Sequence, residues 1–146
     1  MTRRLFTVGP VEVFEDTLES MKKHMIVHRG KEYSQLQKGI IEKLHKALDT
    51  DLEIYLSPSS ATGFLESCVR CGVKKKMVGI SNGSFGDRWQ QIGTANGKLV
   101  DKIDCEWGKA IRKEHIDGRI SKDAEAVTIV SNESSTGVLN PMVELA

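Results

Sequence analysis

The sequence lacks an excess of charge of either sign: 21 Lys and Arg stand against 20 Asp and Glu in 146 residues, a net charge of +1 with neutral His. Such a balance leaves no electrostatic footprint for nucleic acid and no polybasic anchor for a membrane. Long apolar runs are missing as well, and the uncharged stretches fall far short of the roughly 20 residues that a membrane helix needs. Near the start a short apolar stretch gives way to Glu12, Glu15 and Asp16, so no secretory signal is expected. Cysteine is scarce, and three cysteines cannot all pair within the chain, which points to reduced thiols in a cytoplasmic setting. Cys68 and Cys71 form a C-x-x-C with no second pair, so a four-cysteine zinc site is not expected. The pair falls late in a predicted helix rather than at its start, and packing thiols are the expectation. No repeat or low-complexity tract interrupts a composition of 39% hydrophobic and 28% charged residues, which suits a globular chain and argues against disorder.

What is present reads as alternating helices and strands. Val13, Phe14, Leu18, Met21 and Met25 recur at helical spacing, and Leu36, Ile40, Ile41, Leu44, Ala47 and Leu48 do so more cleanly. These predict two amphipathic helices joined through His28-Arg29-Gly30. Ile54-Tyr55-Leu56 predicts a short buried strand, Thr62–Cys71 a helix and Met77–Ser81 a second strand. Together they form a strand–helix–strand unit that implies parallel pairing and an α/β class. A helix over Phe85–Ala95, a turn at Asn96-Gly97 and a strand over Lys98–Ile103 near a sheet edge follow, with a short helix near His115. Ala126–Val130, mostly β-branched, predicts the clearest buried strand. Asn140-Pro141 resembles a helix start, with Asn as cap and Pro at the first position. Few residues remain after it, and a helix of that length is not stable alone. The polypeptide is therefore expected to have continued in a parent protein.

Three polar loops follow predicted strands, where α/β proteins place ligands. In Ser57-Pro58-Ser59-Ser60-Ala61-Thr62-Gly63, free backbone amides at a helix N-terminus could bind a phosphate, helped by the Ser60 and Thr62 hydroxyls. A plain Ser/Thr cap would read the same. In Ser81–Trp89, Gly83 and Gly86 bracket Phe85, which could be held outward as a stacking surface or packed into the core. Ser131–Gly137 is more polar than a connection needs and could reach a phenolic oxygen or a phosphate, or could be a solvated loop. A nucleoside-triphosphate P-loop and a dinucleotide fingerprint are both excluded, because neither glycine pattern occurs. Each loop alone is a weak signal, but together they suit a phosphorylated aromatic ring.

On Val8-Gly9-Pro10, His28-Arg29-Gly30, the serine-rich loop, SNGSFGDRW and SNESSTGVLNP, in that order and spacing, the chain resembles the class V aminotransferases. These are pyridoxal-phosphate enzymes of fold type I, and the likeness is strongest to the serine–pyruvate/alanine–glyoxylate group. The resemblance implies the N-terminal part of the large domain, a mostly parallel sheet with flanking helices. Residues 1–50 would be an N-terminal helical segment on the dimer and substrate side, and residues 51–146 the first, incomplete part of the cofactor-binding domain. It implies that Ser60, Ala61 and Thr62 bind the cofactor phosphate, that Phe85 stacks on the pyridine ring, and that Ser134 lies near the phenolic oxygen. The family more often has Gly where Ser59 and Ala61 stand. Cysteine desulfurases of the same fold usually stack a His, so Phe85 favours the aminotransferases. His28-Arg29 would lie toward a homo-oligomer interface.

The family's ring-nitrogen Asp, its Schiff-base Lys and its substrate-binding Arg would all lie outside these residues. None of the 14 lysines has a matching context, and Lys122 follows Ser121 in a polar linker. The implied activity, transfer of an amino group from a small amino acid to a 2-oxo acid such as pyruvate or glyoxylate, would need a complementary C-terminal chain or segment. A non-catalytic relic or partner-binding module, and a binder of small phosphate ligands, are the alternatives.

Overall fold

A computed structural model describes residues 4–146, so Met1–Arg3 of the expected N-terminal segment lie outside the described residues. Two units are distinguishable, Met1–Ser57 and Pro58–Ala146. The first holds α1 (Glu15–Ser20) and α2 (Lys31–Leu48). Gly30 caps α2 in an extended conformation, and Asp49 ends it in the left-handed region. The periodicity of residues 36–48 thus forms the expected helix. That of residues 13–25 forms only six helical residues, because Phe14, Met21 and Met25 find no surface to bury against and stay 85%, 75% and 97% exposed. Helices this short draw their stability from packing, and α1 has little. Ile54-Tyr55-Leu56 is likewise not a strand: no ladder partner lies beside it, and Tyr55 and Leu56 are exposed.

The second unit contains α3 (Ala61–Gly72), β1 (Lys76–Ser81), α4 (Ser84–Ala95), β2 (Leu99–Asp104), α5 (Lys113–Ile116), β3 (Ala126–Thr128), the short strands β4 (Asn132–Glu133) and β5 (Val138–Leu139), and α6 (Met142–Leu145). The sheet order is β2-β1-β3, with both neighbours parallel to β1. The strand–helix–strand unit is therefore β1-α4-β2, one element later than the sequence suggested. As the central strand, β1 is buried on both faces, which explains its unbroken apolar run. Val78 and Ile80 point to one side and pack with Ile103, Ile111 and Ile116. Met77 points to the other and packs with Val69, Val73 and Ile92 of the helical layer. Strand β3 is shorter than expected and only half-buried, because one of its edges has no partner and Val127 stays 44% exposed.

Helices α3 and α4 set the geometry of the candidate site. The C-terminal residues of α3, Val69 and Val73, pack with Met77 at the start of β1 and Ile92 near the end of α4. Arg70 Nε also donates to Asn96 Oδ1 just past α4 (2.8 Å). The two helices thus lie side by side with their C-terminal ends at the N-terminal end of β1. Both have 12 residues, about 18 Å of helix at 1.5 Å per residue. Both helices therefore begin away from the N-terminal end of β1, and α4 begins at the end of the sheet to which β1 and β3 run.

The opposite end is held by charge. Glu125 Oε2 accepts from the backbone amides of Lys74 (2.6 Å) and Lys75 (2.7 Å). The Lys75 amide, with the Lys74 and Lys76 amides and against a desolvation effect that raises it, holds this carboxyl below its ordinary value of 4.5. A depressed folded-state pKa stabilises the fold fully above the unfolded value and loses that contribution as pH falls through the folded one. Urea midpoints should therefore drop as pH is lowered below about 4.5, and Glu125→Gln should flatten that slope while changing the neutral-pH midpoint less than acid does. An unchanged acid slope in the variant would remove Glu125 from the account.

Candidate functional site

At the C-terminal end of β1 the chain turns through Asn82 and Gly83 into α4. The first three amides of that helix are satisfied by the β4–β5 hairpin, some fifty residues downstream. Ser84 N donates to Ser135 Oγ (2.9 Å), and Phe85 N and Gly86 N donate to Glu133 Oε2 (3.1 and 3.0 Å). Ser135 in turn donates to Glu133 Oε1 through its hydroxyl (2.6 Å) and its amide (3.2 Å). Glu133 is fully buried. A buried carboxylate is costly unless hydrogen-bonded, and here four donors and the positive end of a helix dipole compensate it.

Two glycines allow this close approach. A Cβ on Gly83 would lie 2.5 Å from Glu133 Cγ and 2.7 Å from Ser135 Oγ. A Cβ on Gly86 would lie 2.6 Å from both Cα and Oγ of Ser81, backbone included. In most helices Gly→Ala stabilises by limiting the unfolded chain. Gly86→Ala should instead destabilise by about 1–3 kcal/mol, the cost of overpacking, measurable as a lowered urea midpoint. A stabilised variant would show that α4 can move off β1 freely.

The sequence-predicted site residues fall as follows. Phe85, the second residue of α4, is 44% exposed, so its ring faces outward rather than into the core. Ser134 lies in the turn of the β4–β5 hairpin, next to Glu133, half-buried and with no hydrogen-bond partner for its hydroxyl among the described residues. The hairpin and the start of α4 are thus brought together. Ser60 is the N-cap of α3, extended and exposed, and makes no side-chain capping bond; Ala61 and Thr62 open the helix and are also exposed. No hydrogen bond among the described residues joins them to Phe85 or Ser134; the helix they open packs beside α4.

Sequence reasoning missed three features here. Glu133 and Ser135 lay within a loop already singled out, but nothing in the sequence showed that they cap a helix fifty positions upstream. Asn140 does not cap the final helix: Pro141 does. Its side chain is instead committed to a buried pair with Asn82. Cys68 and Cys71 are exposed rather than packed, while burial pushes the half-buried Cys105 thiol up. The C-x-x-C straddles buried Val69 on a helix with only one face against the core.

Two lysines of this unit, Lys76 and Lys109, are engaged in ion pairs. Lys76 bridges Asp101 and Asp123 (3.0 Å each) at the far end of the sheet, where Ser121 also bonds Asp101 and so places Lys122. Lys109 pairs with Glu106 (2.7 Å). Lys102 lines a polar cavity of about 470 Å³ with Asp87, Asp104 and Trp107, on the β2 side of α4.

Comparison with known proteins agrees with this architecture. The described residues superpose on an aspartate aminotransferase of subgroup IV from Thermus thermophilus with a TM-score of 0.89 over 98% of this chain and 41% of that one, at 23% identity. That likeness establishes the fold, an α/β fragment with a parallel three-stranded sheet flanked by helices. No family model matches the sequence. Individual relatives do. An uncharacterized aminotransferase of Methanocaldococcus jannaschii is 34% identical over 97% of this chain and 38% of its own length. The small subunit of a soluble hydrogenase from Synechococcus is 32% identical over 94% of this chain and 38% of its own. The serine–glyoxylate aminotransferase of Arabidopsis thaliana is 27% identical over 93% and 36%.

The chain is homologous to the N-terminal part of aminotransferases and is similar there to the class V group of fold type I. It spans about 38% of the length of the first curated relatives that it matches. The family uses pyridoxal phosphate. No helix among the described residues is long and apolar enough to cross a membrane.

Proposed function

We propose that these residues form the cofactor-holding part of a pyridoxal-phosphate aminotransferase acting on small amino acids of the serine or alanine type and on 2-oxo acids such as pyruvate or glyoxylate. One observation carries the reading. Of these two helix N-termini, that of α4 is filled by Glu133 and Ser135, whereas that of α3 has no side-chain cap. A phosphate is therefore directed to α3, where the free amides of Ala61 and Thr62, the helix dipole and the Ser60 and Thr62 hydroxyls favour it. The outward ring of Phe85 would stack on the pyridine, and the unpartnered hydroxyl of Ser134 would meet the phenolic oxygen. When bound, the cofactor supplies an electron sink for a carbanion at the substrate's Cα. The residues here would grip and orient it.

The lysine that bonds the cofactor and moves the proton would come from a complementary segment or chain. The exposed apolar side chains Phe6, Phe14, Met25 and Val27 of the first unit suit a homo-oligomer contact. The test is titration of the 146-residue chain with pyridoxal phosphate. Weak binding is expected, lowered further, by about tenfold, in Phe85→Ala, as the loss of one stacked ring implies. Binding that is indifferent to Phe85 and to Thr62→Ala would defeat the reading.

A further inference from the structure

Among the described residues Glu133 is the one fully buried charged side chain, and it forms no ion pair. Both of its oxygens accept, from four donors in all. We propose that Glu133 is a positioning residue that closes the α4 N-terminus to external anions and locks Phe85 to the hairpin turn that carries Ser134. This rests on the preceding reading of the site and deepens it. A domain with two uncapped helix N-termini would offer a phosphate two landing places. An internal carboxylate on one of them repels a second anion and occupies the amides that would bind it. The ligand's phosphate can then dock in one orientation only, with its ring toward Phe85.

The lock is also geometric. The same carboxylate holds the Phe85 amide and, through residues 133–135, the turn containing Ser134. The plate and the hydroxyl therefore move together or not at all. Gly83 is small because this carboxylate fills the space its side chain would take.

The experiment follows backbone amides of the isotope-labelled 146-residue chain by NMR, with inorganic phosphate as the probe. In the native chain phosphate should shift the amides of Ala61–Gly63 and leave Phe85 and Gly86 unmoved. In Glu133→Gln, hydrogen exchange at Phe85 and Gly86 should quicken by about 10–100-fold, as expected for loss of charge-assisted bonds, and both amides should become responsive to phosphate. Phosphate shifts at Phe85 and Gly86 in the native chain, or unchanged exchange in Glu133→Gln, would overturn the proposal. Phosphate that moves neither helix start in the native chain, with faster exchange in Glu133→Gln, would refute the cofactor reading and leave the closing role standing. If Glu133→Gln does not fold, Ser135→Ala decides. Ser84 should lose protection while Phe85 and Gly86 keep most of theirs, and an unchanged Ser84 would count against the trans cap.

Discussion

Asn140→Ala should cost the fold about 3–5 kcal/mol, through the loss of a buried, fully paired amide. Asn140 is 2% exposed and Asn82 1%. Asn140 Nδ2 donates to Val130 O (2.7 Å) and Asn82 Oδ1 (3.2 Å), while its Oδ1 accepts from Ile111 N (2.9 Å) and Asn82 Nδ2 (3.0 Å). Asn82 Nδ2 donates its second hydrogen to Lys109 O (2.9 Å). Four segments thus meet on one reciprocal amide pair: the loop after β1, the stretch that leads into α5, and the chain entering and leaving the hairpin. Truncation to Ala strands the Ile111 amide and the Val130 carbonyl in a dry interior, at roughly 1–3 kcal/mol for each unsatisfied group. Against a total stability of about 5–15 kcal/mol, that is a large fraction. Urea unfolding monitored by circular dichroism measures it. A loss below about 1 kcal/mol would mean that water replaces the amide freely. Asn140→Asp should also destabilise, because a carboxylate cannot donate to Val130 O.

This pair also marks how far the sequence could be read. The central strand, α2, α3, α4 and β2 were legible because their apolar residues repeat at the period of the element and end at turn residues. Met77–Ser81 and Leu36–Leu48 are the clearest cases. Segments that depend on a distant partner were not legible. Ile54–Leu56 has a strand's composition and no ladder, and residues 13–25 have a helix's period and nothing to pack on. Ala126–Val130 reads as a core strand but forms an edge. Asn140 before Pro141 has the local signature of a cap, yet a buried tertiary network claims its side chain. The same distinction applies at the site. Phe85 and the serine-rich loop stood out as chemistry just after a strand, whereas Glu133 acts through a contact across nearly fifty residues that no local pattern encodes.

Pyridoxal phosphate added to the 146-residue chain and reduced with borohydride should leave no single lysine stoichiometrically labelled, and the mixture should not transfer amino groups. The candidate grip consists of one open helix N-terminus, one ring face and one hydroxyl. Lys76 is held by Asp101 and Asp123 and Lys109 by Glu106, while Lys102 lines a cavity on the β2 side of α4 with Ser81 and Asp87. Without a positioned amine, proton movement at the substrate's Cα has no base, a loss of about 10²–10⁴-fold from that term alone. Removing the covalent link forfeits further rate. Since the chain spans about 38% of its relatives' length, polypeptide corresponding to the remainder should supply the missing groups. Adding it should produce one labelled lysine, on the added polypeptide, together with measurable transfer. Phe85→Ala in this chain should then weaken both. Peptide mass mapping after reduction locates the label. Stoichiometric labelling of one lysine within these 146 residues, accompanied by amino transfer without any added polypeptide, would place the base in this chain and overturn the division of labour proposed for the site.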